Sequence, residues 1–351
     1  MDEIKRLVIS EQAQEDEVIS ISLRPQTLHE FVGQKDVVAA LKIAIVAAQQ
    51  RAEPLEHILF SGPPGLGKTS LAHIIAHEMH TRITVTSGPA IQRAGDFIGI
   101  LTNLEKGDIL FIDEIHRLSK TVEEFLYPAM ENFKIDFIVD KGPYAKTINF
   151  NLKPFTLIGA TTRSGLLATP LRNRFGIFHH LEFYQQEELA TIIKSSAVKL
   201  AVDIDGPASN EVSRRARGTP RIANRLLRRC RDYAQVNPST SLRIDTEQGR
   251  SVKAGQNRID STIVLECMKA LRIDEHGLDD LDRRLLKVIK TNYQGGPVGI
   301  EALSATLNEE VDTLVDVVEP YLLKNGFLRR TSRGRELTEL SLKHMGESVY
   351  V

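Results

Sequence analysis

The chain has 351 residues, 42% hydrophobic and 26% charged, with a formal net charge of −1. That length allows two or three domains with ample cores. The charge balance excludes nucleic-acid binding by bulk charge, so any such contact must come from a local patch. No apolar run approaches the roughly 18 residues of a membrane span. The acid-rich start, Met1 to Glu17, has no signal-peptide core. Cys230 and Cys267 stand apart within helical patterns and read as buried thiols of a cytosolic protein.

In chain order, residues 1–22 read as a loose arm. Residues 23–183 alternate apolar strands with helical segments, which predicts an α/β fold: a parallel sheet with helices on both faces. The predicted strands are 58–60, 83–86, 109–112 and 155–159. Gly62-Pro63-Pro64-Gly65-Leu66-Gly67-Lys68-Thr69, followed by Ser70, lies between a strand and a helical pattern at Leu71, Ile74 and Ile75. This is the context of a phosphate-binding loop. Glycines let backbone N–H groups turn inward, and the helix N-terminus adds positive potential. Lys68 can reach the β- and γ-phosphates of ATP, and the Thr69 hydroxyl can ligate Mg²⁺. Downstream, Ile109-Leu110-Phe111-Ile112 ends in Asp113-Glu114. Two acids at the tip of a buried strand suit a metal and a water: Asp113 to hold Mg²⁺ through water, Glu114 as general base.

Three further features fit an oligomeric ATPase. Thr161 and Thr162 end the strand 155–159, where a polar side chain can touch the γ-phosphate. Arg172 and Arg174 follow a helix break, and an arginine there can serve a neighbouring subunit's nucleotide. Gly218-Thr219-Pro220-Arg221 opens a helix with apolar residues at Ile222, Leu226, Leu227 and Cys230. Arg225, Arg228 and Arg229 read as a solvated face of that helix. Residues 184–275 form a helical lid interrupted by a polar loop at 237–258. Residues 276–351 carry three helical patterns and then Phe327 to Thr338, two short strands around a Ser332-Arg333-Gly334 turn. That predicts a winged helix. Lys324, Arg329, Arg330, Arg333 and Arg335 place five positive charges before Glu336, which suits phosphate contacts to DNA with no sequence readout.

This order of motifs resembles the AAA+ ATPases and, within them, the RuvB family of Holliday-junction branch-migration motors. The resemblance runs from about Leu23 to Gly346. It is carried by Leu23-Arg24-Pro25, Phe31-Val32-Gly33-Gln34, the loop at 59–69, Leu157 to Arg163, Gly218 to Leu227 and Gly326 to Thr331. It implies an ATP hydrolase that translocates duplex DNA during recombination and repair, in the bacterial cytoplasm. It also implies a ring, hexameric by family habit, acting with RuvA and RuvC. By resemblance, Thr161 senses the γ-phosphate, Arg174 is the arginine finger and Arg221 reaches the phosphates from the lid. Leu23, Arg24, Pro25, Val32 and Gly33 would frame the adenine, with Tyr184 and Pro220 closing over it. The segment 134–152 resembles the family's β-hairpin for RuvA, with Ile135, Phe137 and Ile148 as apolar contacts around Lys141-Gly142-Pro143. Two departures are visible: the long polar loop at 237–258 and a charged, aromatic hairpin turn at 139–144. The alternative is a clamp-loader-like or switch AAA+ ATPase acting on DNA, which would carry a collar domain in place of the winged helix.

Overall fold

A computed structural model of the chain describes residues 22–138, 147–237 and 258–347. The arm, the hairpin tip and most of the polar loop therefore lie outside the described residues. The chain divides into two compact units, Met1–Gly62 with Leu66–Glu182, and Pro63–Gly65 with Phe183–Val351.

The first unit opens with α1 (Lys35–Arg51), β1 (Ile58–Ser61), α2 (Lys68–Glu78), β2 (Ile83–Ser87), α3 (Ala94–Thr102) and β3 (Ile109–Asp113). It continues with α4 (Lys120–Asn132), the hairpin β4 (Lys134–Ile138) and β5 (Thr147–Asn151), then β6 (Thr156–Thr161), α5 (Thr169–Arg172) and β7 (Ile177–His180). Five strands pair in parallel in the order β2-β3-β6-β1-β7. β1, β3 and β6 are apolar almost throughout because both faces of the sheet are covered. Leu59, Leu110, Ile112 and Leu157 join one core with Phe97, Leu101, Val122 and Leu126. The alternate residues Ile58, Phe60, Phe111 and Ile158 are buried too. β7 was not predicted. It is an edge strand of half-buried Ile177 and His179 alternating with exposed Phe178 and His180, so it lacks the continuous apolar run of its neighbours.

His57, just before β1, ties the sheet to α4. Its Nδ1 accepts from the Leu157 amide at 2.9 Å and its Nε2 lies 3.1 Å from the Met130 carbonyl. Both contacts are satisfied only by the neutral ring with its proton on Nε2, and burial lowers the pKa of this histidine.

The second unit begins with the lid: α6 (Gln186–Lys199), β8 (Asp203–Ile204), α7 (Gly206–Arg215), α8 (Pro220–Val236), β9 (Arg258–Ile259) and α9 (Ser261–Ala270). Its helix starts are written in the sequence. Gln185 and Glu188 form a capping box, Asp205 accepts from Ala208 N–H, Asp260 accepts from Ile263 N–H, and Pro220 sits at the first position of α8. Cys230 and Cys267 are buried between α8 and α9. The winged helix follows: α10 (Asp280–Asn292), α11 (Ile300–Leu307) and α12 (Val311–Thr313), continued by a π-helical run at Leu314–Val318 and α13 (Glu319–Lys324). β10 (Leu328–Thr331) and β11 (Gly334–Leu337) make the wing, and α14 (Glu339–Glu347) ends it. Leu285, Leu286, Ile289, Leu303, Leu314, Val318, Leu322 and Phe327 form its core.

Lid and winged helix are joined by a buried ion pair. Arg217, between α7 and α8, donates to both carboxylate oxygens of Asp282 on α10, at 2.9 and 3.1 Å. Its guanidinium lies 4.6 Å from the centre of the Tyr321 ring. Burial pushes the Asp282 carboxyl up to about 7, against the pull of Arg217.

Candidate active site

The phosphate-binding loop is shaped by positive φ angles at Gly62 (131°), Gly65 (81°) and Gly67 (103°). At Gly62 only glycine fits, since a Cβ would stand 2.4 Å from the Leu181 carbonyl oxygen. Gly67 caps α2, so Lys68, Thr69 and Ser70 form the first turn of the helix that follows the loop, at its positive end. Lys68 is buried, and its Nζ donates to the Gly62 carbonyl at 2.7 Å. The ammonium thus spans the loop it closes. Pro63–Gly65 group with the second unit, where the Arg221 amide faces the Gly65 carbonyl at 3.4 Å. Arg221 itself is exposed at the start of α8. Tyr184 is buried, its amide bonded to the Gly218 carbonyl at 2.9 Å just before Pro220. Leu23 is buried, with Arg24, Pro25, Val32 and Gly33 half-buried in the segment leading to α1.

Asp113 ends β3, and its Oδ1 accepts from the Glu114 amide at 2.9 Å. Glu114 is left-handed, φ 49°. The following turn is pressed against Gly88, where a Cβ would meet the Glu114 carbonyl oxygen at 2.4 Å. This places the Glu114 carboxylate under the tip of β6. There Thr161, the last residue of β6, and Thr162, just beyond it, divide. Thr161 is fully buried; its hydroxyl lies 2.8 Å from Nδ1 of His116 and accepts from the Arg163 amide at 3.0 Å. The Thr162 hydroxyl faces Glu114 Oε2 at 3.4 Å. Thr162 thus reaches the acid directly, and Thr161 reaches it through His116, whose Nε2 is 3.4 Å from the same carboxylate. Sequence reading missed His116. Its only trace there is a histidine two residues past the acid at a strand tip.

Arg174 is held within its own subunit. It donates to the Pro170 carbonyl at 2.6 Å, pairs with Glu131 at 3.0 Å and lies 4.5 Å from the Tyr127 ring centre.

On the wing, Arg333 is exposed at the turn, with no ion-pair partner among the described residues. Arg329 is exposed and pairs with Glu336 at 2.7 Å; Arg330 is half-exposed and reaches Glu319 at 2.9 Å. Arg335 departs from expectation. β11 turns it inward, where its guanidinium is buried against Glu319, so it belongs to the wing's foundation and not to a DNA face. Ile135 departs likewise: it is fully buried in the sheet core opposite Phe150 and offers no surface to a partner. The side chains of Phe137 and Ile148 lie outside the described residues.

Comparisons with known proteins agree with this arrangement. Residues 23–181 match the family model described as the Holliday junction DNA helicase RuvB P-loop domain. Residues 184–253 match the RuvB AAA lid domain, and 275–346 the RuvB C-terminal winged helix domain. The chain is 54% identical over 325 residues to a Holliday junction branch migration complex subunit RuvB of Desulfosudis oleivorans, covering 93% of this chain and 90% of that one. It is 53% identical over 331 residues to the protein of the same description from Kosmotoga olearia, covering 94% and 92%. Among solved structures, the Thermotoga maritima RuvB Holliday junction branch migration motor superposes with a TM-score of 0.81 at 50% identity, covering 93% of this chain and 98% of that one. With its loop, acids, lid and wing in that order and such identity along nearly its whole length, the chain belongs to the RuvB family of AAA+ ATPases.

Proposed function

We propose that the chain is the ATP-hydrolysing subunit of a Holliday junction branch-migration complex, gripping duplex DNA by its winged helix and working with a RuvA-type partner. The observation that carries this reading is the meeting of a phosphate loop closed by Lys68, a strand-tip pair Asp113-Glu114 and the β6 threonines in one unit, on a chain that also carries a basic wing.

Lys68 would neutralise the β- and γ-phosphates together with the first N–H groups of α2. Glu114 would take the proton of the attacking water as its oxygen bonds the γ-phosphorus and the bond to the β–γ bridging oxygen breaks, leaving ADP and phosphate. The Thr162 hydroxyl would orient that carboxylate or the γ-phosphate. Asp113 keeps acceptor capacity beyond its one amide bond, and no cage of three or more His, Cys, Asp or Glu occurs among the described residues. This donor set suits Mg²⁺ shared with nucleotide phosphates. Thr69, and Asp113 through water, would hold the ion, which when bound screens the phosphate charge. Arg174 would act as finger in a ring, a hexamer in this reading, by exchanging Glu131 for a neighbour's phosphate. RuvC association and a cytoplasmic setting complete the proposal.

The test compares two variants. Lys68→Ala should lose ATP binding and turnover together. Glu114→Gln should keep ATP bound and lose turnover by 10³-fold or so, on the order expected of a general base and its positioning. Equal loss of nucleotide binding in Glu114→Gln would sink the assignment of Glu114 as base.

A further inference from the structure

His116 is the least accounted-for side chain near the reacting groups. Its side chain is only 5% exposed, yet it carries two polar atoms and both face the site. Nδ1 is 2.8 Å from the Thr161 hydroxyl and Nε2 is 3.4 Å from Glu114 Oε2. The tautomer follows from the partners. The Thr161 oxygen already accepts from the Arg163 N–H, so its own proton is available for Nδ1. The opposite tautomer would aim the lone pair of Nε2 at a carboxylate oxygen. The consistent network runs Arg163 N–H to Thr161 hydroxyl to His116 Nδ1, with His116 Nε2–H donating to Glu114.

We propose that His116 is a positioning residue for ATP hydrolysis, a relay that holds the Glu114 carboxylate and joins it to the buried end of β6 through Thr161. This rests on the reading of Glu114 as general base. Glu114 has a left-handed backbone on a turn after the strand, and its side chain stays half-exposed. A carboxylate so placed would sample several rotamers. Two donors from different elements, Thr162 of the β6 tip and His116 of the turn after β3, converge on the same Oε2. Movement of the β6 tip is thereby passed to the acid by two routes, one direct and one through an imidazole.

The experiment is steady-state ATP turnover by the full-length protein, with nucleotide binding measured separately. His116→Phe keeps the ring's volume and removes both nitrogens. It should lower kcat by about 10- to 100-fold, the loss of one hydrogen bond to a charged group, and leave KM and nucleotide binding within about twofold. His116→Gln can donate from its amide nitrogen and accept from Thr161 with its oxygen, so it should recover most of that loss. Thr161→Val should resemble His116→Phe, and the double variant should be no worse than either alone, because they cut one chain of contacts. Unchanged kcat in His116→Phe, or Gln no better than Phe, overturns the proposal. So does full additivity with Thr161→Val. Should His116→Phe fail to fold, Gln and Thr161→Val decide alone: near-parental turnover in Gln with loss in Thr161→Val supports the relay, and equal loss in both refutes it. Glu114→Gln separates the two readings. If it still hydrolyses ATP the base is misassigned, whereas an inactive Glu114→Gln beside a normal His116→Phe sinks only the relay.

Discussion

At the scale of single residues, the wing shows how side chains of one type take opposite tasks. Arg329 and Arg335 stand on the paired strands β10 and β11, but Arg329 points out to Glu336 and Arg335 points in to Glu319. Replacing Arg335 by Ala would leave the buried Glu319 with only the half-exposed Arg330. That should cost of the order of 3 kcal/mol, the penalty of breaking a buried pair, with a lower thermal midpoint in the winged helix. Arg333→Ala should leave the midpoint unchanged and weaken duplex binding at every sequence alike. The log–log salt slope should fall by about 0.9 for its lost phosphate contact. Binding titrations at several salt concentrations, beside thermal melts, separate the two; a fall in slope for Arg335→Ala without loss of stability would reverse the assignment. The sequence shows five basic residues around the wing but not which face each takes. Arg335 is adjacent in type and spacing to true surface residues. Thr161 and Thr162 pose the same difficulty. Thr161 ends β6 and Thr162 follows it, and a strand buried on both faces gives no polar–apolar alternation from which to set which way its last residue faces.

At the scale of elements, the strands that build the nucleotide site were legible because burial on two faces writes a continuous apolar run, as in β1, β3 and β6. β7 was not, because an edge strand half in water needs no such run. The start of α8 was legible through Pro220; the caps at Asp205, Asp260 and Asp279 went unread, although each does at a helix N-terminus what its chemistry favours. His57 was silent in the sequence, since its role depends on partners 73 and 100 residues away. Its location makes a pH prediction. The folded pKa lies below the ordinary 6.5, so the contribution is whole above 6.5 and is lost as pH falls through the folded value. His179 on β7 is lowered by burial as well and adds in the same direction. The first unit should therefore lose stability below about pH 6.5, at up to about 1.4 kcal/mol per pH unit for the buried His57. His57→Asn, which can still accept from the Leu157 amide, should be less stable at pH 8 by about 1 kcal/mol and show a shallower acid slope. Denaturant titrations from pH 8 to 5 measure both, and an unchanged slope would show that His57 titrates alike in the folded and unfolded chain.

At the scale of the molecule, the joint formed by Arg217 and Asp282 bears on what the protein can do with a hydrolysed nucleotide. Arg217 directly precedes Gly218-Thr219-Pro220-Arg221, the stretch that opens α8, and Asp282 lies in the first helix of the winged-helix domain. Asp282→Asn should leave ATP turnover within about twofold while branch migration per ATP falls by roughly 5- to 150-fold, the range of a typical coupling energy between sites. A migration assay scored against phosphate released measures that ratio; parallel loss of both activities would mean the pair serves stability alone. Expressed mechanically, the pair is a rivet through a wrist. The rivet joins Arg217, just ahead of α8, to α10 of the winged helix, so a displacement at one end pulls on the other.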